Sequence, residues 1–99
     1  MKMNKSNIAH NANELASILG LSPVDALEIE RRRNLNTKVI DAVHKSGLTH
    51  AQIAELAKTS RTRITAIVNR NTHGVSTDLM FRILASLGYK SKISFLKIA

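Results

Sequence analysis

THAQIAELAKTSRTRITAIVNRN, residues Thr49 to Asn71, reads as two short helices joined by a tight turn, with four basic side chains and one acid. Thr49 followed three residues later by Gln52 is a capping-box pattern, so a helix is expected to start there and run to about Ala57, burying Ile53, Leu56 and Ala57. Ser60 can cap a second helix from Arg61 to about Arg70. That second helix has two stripes at helical spacing. Ile64, Ile67 and Val68 form an apolar edge for a core, while Thr62, Thr65, Ala66 and Asn69 form a small and polar edge that needs a partner.

Working outward, the segment LSPVDALEIERRRNLNTKVIDAVHKSG has both helix ends marked. Ser22 can act as N-cap, Pro23 takes the first helical position, Asp25 the third, and Gly47 stops the run. Val24, Leu27, Leu35, Val39, Ile40 and Val43 recur at helical spacing, whereas Asn34 and Asn36 are weak helix formers, so one long helix and two shorter ones are both compatible with the pattern. Glu28 and Arg32, four apart, favour pairing in solvent, and the run Arg31 to Arg33 reads as a solvated face. Residues 1–20 are polar and Asn-rich, with a short apolar piece at Leu15 to Leu19, and are expected to form a weakly ordered N-terminal segment ahead of a domain spanning 21–99.

Downstream, Asn71 to Val75 reads as a loop, and Ser76 can cap a last helix, Asp78 to Leu87, ended by Gly88. Its Leu79, Met80, Ile83, Leu84 and Leu87 would close the core. In the tail YKSKISFLKIA, Ile93 and Phe95 alternate with Lys92 and Ser94, which predicts a C-terminal β-strand. A lone strand leaves its backbone groups unpaired, so it is expected to seek another segment, preferably from a second copy of the chain.

Ninety-nine residues suit one small, mainly α domain. The absence of Cys removes disulfides, thiolate metal sites and thiol nucleophiles and fits a reducing compartment, so the cytoplasm is the expected location. No stretch has 18 consecutive apolar residues, and the first twenty lack a signal-peptide core, so no membrane partner is expected. The net charge of +8 is uneven: residues 1–49 carry seven basic and five acidic side chains, residues 50–99 eight and two. Between Glu55 and Asp78 lie Lys58, Arg61, Arg63 and Arg70 with no acid. Such clustering favours a polyanionic partner. His10, His44, His50 and His73 have no metal-ligand spacing, and seven scattered acids offer no catalytic pairing, so neither a metal, a cofactor nor an enzyme activity is expected. Tyr89, Phe81 and Phe95 are isolated and read as packing residues, not as stacking platforms for single strands.

The major groove of DNA, about 12 Å wide, admits one helix whose side chains meet base edges while a neighbouring helix crosses the backbone. A helix pair with one buried and one polar, basic edge has that form. An ordinary αα corner in a helical bundle shares the amphipathicity; the capping pattern, the turn length and the basic outer stripe together favour DNA.

LTHAQIAELAKTSRTRITAIVNRNTHGVSTDLMFRILASLG, Leu48 to Gly88, resembles the Cro and lambda-repressor-like (XRE) helix-turn-helix domain, through Ala54 in the corner, Ser60 as recognition-helix cap and Ile64 and Ile67 as anchors. With a helix ahead and a charged strand behind, residues 15–98 are similar to a compact branch of that family with many HigA-type antitoxins. The resemblance implies a lambda-repressor-like bundle with a C-terminal β-strand. It also implies base-reading sites at Arg61, Thr62 and Ala66, with Thr65 beside them and Arg63 near the phosphates. In chemical terms, Arg61 can grip guanine, Thr62 can donate or accept at a base edge and Ala66 can touch a thymine methyl. Thr49, His50 and Gln52 start the scaffold helix, where free N–H groups favour phosphate, and Asn69 and Arg70 are further phosphate candidates. Two positions depart from the family: His50 stands where Gln is usual, and Lys58 where the turn usually has Gly, so a non-glycine residue is expected to take a left-handed conformation.

The resemblance implies a transcriptional repressor that binds an inverted-repeat operator as a homodimer, and within that class an antitoxin that neutralises a RelE/HigB-like toxin and represses their shared operon. A phage-like or stand-alone regulator without a toxin is the alternative in the same class. A protein-interaction module with only non-specific DNA affinity is the alternative outside it.

Overall fold

In the computed structural model, which describes Gly20 and residues 22–97, four helices follow one another among the described residues: α1 Pro23–Ser46, α2 His50–Ala57, α3 Arg61–Val68 and α4 Thr77–Ser86. The chain is mainly helical. Contacts divide it into two units, Met1–Asn34 and Leu35–Ala99, and the apart-standing reading of residues 1–20 falls, Gly20 excepted, outside the described residues.

The start of α1 is as marked in the sequence. Ser22 Oγ accepts from the Asp25 amide at 3.2 Å and donates to Asp25 Oδ2 at 2.8 Å, so cap and third residue satisfy each other. The helix then continues unbroken for 24 residues. Asn34 and Asn36 do not interrupt it, and the reason lies in a tertiary contact. Asn36 is buried, and its side-chain amide donates to the Ile67 carbonyl at 3.0 Å; this hydrogen bond across the bundle outweighs a helix-propensity deficit of a few tenths of a kcal/mol. Glu28 Oε2 lies 3.9 Å from Arg31 Nη2 in solvent.

The core of the second unit gathers Val39, Ala42 and Val43 of α1, Ile53, Ala54 and Ala57 of α2, Ile64 and Ile67 of α3, Val75 of the following loop, and Leu79, Met80, Ile83 and Leu84 of α4. Leu35, Val68, Leu87 and Tyr89 pack at its margin. Ile53, Ile64, Ile67, Met80 and Ile83 are fully buried, each contributing about 1.5–3 kcal/mol of apolar transfer.

Three apolar residues expected inside are outside. Val24 and Leu27 are exposed, while Ala26 between them is the buried residue of that stretch. Leu56 is 54% exposed. At about 100° per residue, Ile53, Ala57 and Ala54 cover an arc of about 100°, and Leu56 lies about 110° from its centre. Ala54 takes the inward position instead.

Three helices end in the same way. After α2, the Lys58 amide donates to Glu55 O at 3.3 Å and the Thr59 amide to Ala54 O at 2.9 Å. After α3, Arg70 donates to Ile67 O and Asn71 to Ala66 O; after α4, Gly88 donates to Ala85 O and Tyr89 to Leu84 O. This paired pattern is the Schellman motif, whose pivotal residue is left-handed. Gly88 takes that conformation freely, but Lys58, at φ 56°, and Arg70, at φ 61°, are L-residues doing so under strain.

Among the described residues the expected C-terminal strand is not shown. No residue from Lys90 to Lys97 has regular structure, and Ile93, Phe95 and Leu96 are 67%, 95% and 90% exposed. In a single chain the segment has no neighbouring strand to complete its hydrogen bonds. Just before it, Lys38 Nζ sits 4.6 Å from the centre of the Tyr89 ring.

Candidate nucleic-acid interface

Ser60 fixes the start of α3, its hydroxyl accepting from the Arg63 amide at 3.1 Å. With Ile64 and Ile67 completely buried, the helix can rotate no further, and Arg61, Thr62 and Arg63 are left exposed at its N-terminal end. Helix α3 ends at Val68, earlier than the expected Arg70, and Asn69 caps it. On its outer side, Arg61, Thr62, Thr65 and Ala66 line one open concavity of about 390 Å³. These are the four residues expected to read bases.

At the start of α2, the capping box is complete: Thr49 Oγ1 accepts from the Gln52 amide at 3.1 Å, and Gln52 Oε1 accepts from the Thr49 amide at 2.8 Å. Both side chains stay exposed, and the amide nitrogen of Gln52 keeps two donors beyond the box. His50 lies half-buried, its Nδ1 2.8 Å from Thr65 Oγ1. The scaffold helix is thereby tied to the middle of α3 at one of the four concavity residues. Nothing in the sequence signalled this pairing, since fifteen residues separate the two.

Arg70 is placed differently from Arg61 and Arg63. Its guanidinium turns to α1, with Nη2 3.2 Å from Thr37 Oγ1 and Nη1 3.5 Å from Asn36 Oδ1. Asn36, held by Arg70 and holding Ile67, thus joins the end of α3 to α1.

A residue missed in the sequence is Arg82. Its Nε donates to Ala57 O at 2.7 Å and its Nη2 to Lys58 O at 3.4 Å, while Ser86 Oγ lies 3.4 Å from Leu56 O. These are end-of-helix carbonyls of α2 and its turn, which have no intrahelical partners. A cation there also complements the negative end of the helix dipole. The turn between α2 and α3 is held from α4.

Helix α3 carries the cations Arg61 and Arg63 and has no acid in its first turn. Among the described residues no cluster of three or more His, Asp or Glu could hold a metal, and no helix is long and apolar enough to cross a membrane. Comparison with known proteins finds no matching family model, no matching curated sequence and no matching solved structure.

Proposed function

We propose that this chain is a sequence-specific DNA-binding transcriptional repressor that reads the major groove with α3. The observation that carries the reading is the concavity of Arg61, Thr62, Thr65 and Ala66 on the outer side of a helix whose inner edge is wholly buried. Four side chains with base-reading chemistry share one accessible site, flanked by the exposed Arg63 and by the N-terminus of α2 with Thr49, His50 and Gln52. One short helix covers few base pairs, so two copies on an inverted repeat are needed for useful affinity. The exposed Ile93, Phe95 and Leu96 give the C-terminal segment an apolar surface for pairing as a β-strand with a second copy. The resemblance to HigA-type antitoxins extends the proposal to a cytoplasmic partner of a RelE/HigB-like toxin.

The test is fluorescence anisotropy on the DNA upstream of its own reading frame and on a scrambled duplex, at several salt concentrations. The upstream fragment is expected to bind at least about a thousandfold more tightly. Arg61→Ala should lose about 1–3 kcal/mol on that fragment and relax specificity at one position. Equal, steeply salt-dependent binding to both duplexes would leave phosphate attraction alone and favour an interaction module. Co-purification of a small basic protein encoded alongside would distinguish an antitoxin from a stand-alone regulator.

A further inference from the structure

The Thr65 hydroxyl is held from behind by a group that can reverse its hydrogen bond. Oγ1 lies 2.8 Å from His50 Nδ1, and a hydroxyl has one proton to give and lone pairs to receive, whereas an imidazole nitrogen accepts when bare and donates when protonated. With Nδ1 bare, Thr65 gives its proton to His50 and has only lone pairs left to offer. With Nδ1 protonated, His50 donates and the Thr65 proton is released. Because Thr65 also lines the concavity with Arg61, Thr62 and Ala66, its remaining capacity is presented to whatever fills that site.

We propose that His50 is a specificity-setting positioning residue, whose Nδ1 decides whether the Thr65 proton is available to a base edge; this rests on the DNA-reading function proposed above. In the major groove, cytosine N4 and adenine N6 are donors, and guanine O6, thymine O4 and the N7 of both purines are acceptors. A bare Nδ1 therefore matches cytosine or adenine opposite Thr65, and a protonated one, which leaves Thr65 its proton and one free lone pair, admits guanine and thymine as well. The other ring nitrogen couples the switch to the backbone of the DNA. A phosphate at the α2 N-terminus that accepts from Nε2–H holds the neutral ring with Nδ1 bare, because the partner of one nitrogen sets the tautomer at the other. Conversion to imidazolium keeps Nε2–H and adds only Nδ1–H, so the phosphate contact persists while Thr65 reverses.

Other charged groups near α2 are engaged elsewhere or lie on exposed faces. Helix α3 contributes Arg61 and Arg63, α4 contributes Asp78 and Arg82, α2 itself Glu55, and the end of α1 Asp41, His44 and Lys45. Arg82 binds the carbonyls at the far end of α2, and Asp41 pairs with Lys38 and Lys45. Among the described residues the hydrogen bond of the His50 ring is to Thr65.

The experiment enriches a randomised duplex library with the purified full chain at about pH 5.5 and about pH 8, the interval in which imidazole changes charge. One column of the enriched motif is expected to hold cytosine or adenine at the higher pH and to admit guanine or thymine at the lower. The affinity ratio of two duplexes differing only there should change about threefold to tenfold, the weight of one hydrogen bond; a ratio cancels any uniform loss of binding. His50→Gln keeps a hydrogen-bonding side chain that does not titrate and should abolish the shift, as should the isosteric Thr65→Val. A motif that stays the same at both pH values, or shifts equally in His50→Gln, overturns the proposal and leaves the DNA reading standing. Enrichment of no motif at either pH overturns both.

Discussion

Replacing Lys58 by glycine should make this protein more stable. Lys58 sits at φ 56°, ψ 51° in the turn between α2 and α3, where its backbone is bound by the Schellman hydrogen bonds and its side chain is exposed. An L-residue in the left-handed region costs about 1–2 kcal/mol, and glycine adds unfolded-state freedom worth about 0.4–1 kcal/mol against folding. The difference leaves about 0.5–1 kcal/mol of net stabilisation. For a domain of this size each kcal/mol moves Tm by about 4–8 °C, so a rise of about 2–8 °C is expected. Thermal unfolding followed by circular dichroism, at matched protein concentration, reads it directly. Lys58→Ala separates strain from side-chain loss: it keeps the Cβ and the strain, and should leave Tm within a few degrees of the parent. Arg70→Gly is the second control, because it relieves the same conformation at φ 61° but forfeits the hydrogen bonds to Asn36 and Thr37. It should fall about 1 kcal/mol short of Lys58→Gly. The reasoning is refuted if Lys58→Gly is no more stable than Lys58→Ala.

Asn36→Ala removes a buried amide that serves both Ile67 O and Arg70; urea unfolding should register a loss of about 1–3 kcal/mol with an unchanged m-value. Ile53→Ala, at a position with no exposure, should cost about 2–5 kcal/mol, whereas Leu56→Ala, at 54% exposure, should cost less than about 1 kcal/mol in the same assay. Thr49→Ala dismantles the α2 capping box and should lower stability by about 1 kcal/mol, with Gln52→Ala giving a smaller loss because the Thr49 hydroxyl still reaches the backbone. Arg82→Ala leaves the carbonyls of Ala57 and Lys58 without their side-chain partner and should reduce Tm by about 4–8 °C, the equivalent of about 1 kcal/mol.

Helix starts were legible because an N-cap is a local event. Ser22, Thr49, Ser60 and Ser76 each act within three residues of themselves, and each caps as its spacing implies. The left-handed Lys58 was expected from the resemblance, in which a glycine usually stands at that point of the turn, and it is left-handed here at φ 56°. Three residues of the concavity followed from helical periodicity: when Ile64 and Ile67 go inward, Thr62, Thr65 and Ala66 must share another face, whereas Arg61 came from the resemblance. What periodicity misjudged was extent. Leu56 has the spacing of a core residue in a helix of unknown rotation; the resemblance already put Ala54 in the corner, and the packing of α2 against α3 and α4 shows that Leu56 is turned out. The tail reads as a strand by alternation, yet alternation says nothing of where a partner strand would come from.

By itself, then, the sequence determined the order of the helices, their caps, the stripe that had to be buried and the basic character of the opposite edge, all of which depend on neighbours within about one turn. The tertiary structure decided the contacts between residues far apart in the chain. It set Asn36 beneath Ile67 and Arg70 across α1, turned Arg82 onto the end of α2, and brought His50 against Thr65. Those pairs are separated by 31, 33, 25 and 15 residues, and hydrogen bonds at such separations form only where packed helices bring their partners to about 3 Å, a distance that no local pattern of residues encodes.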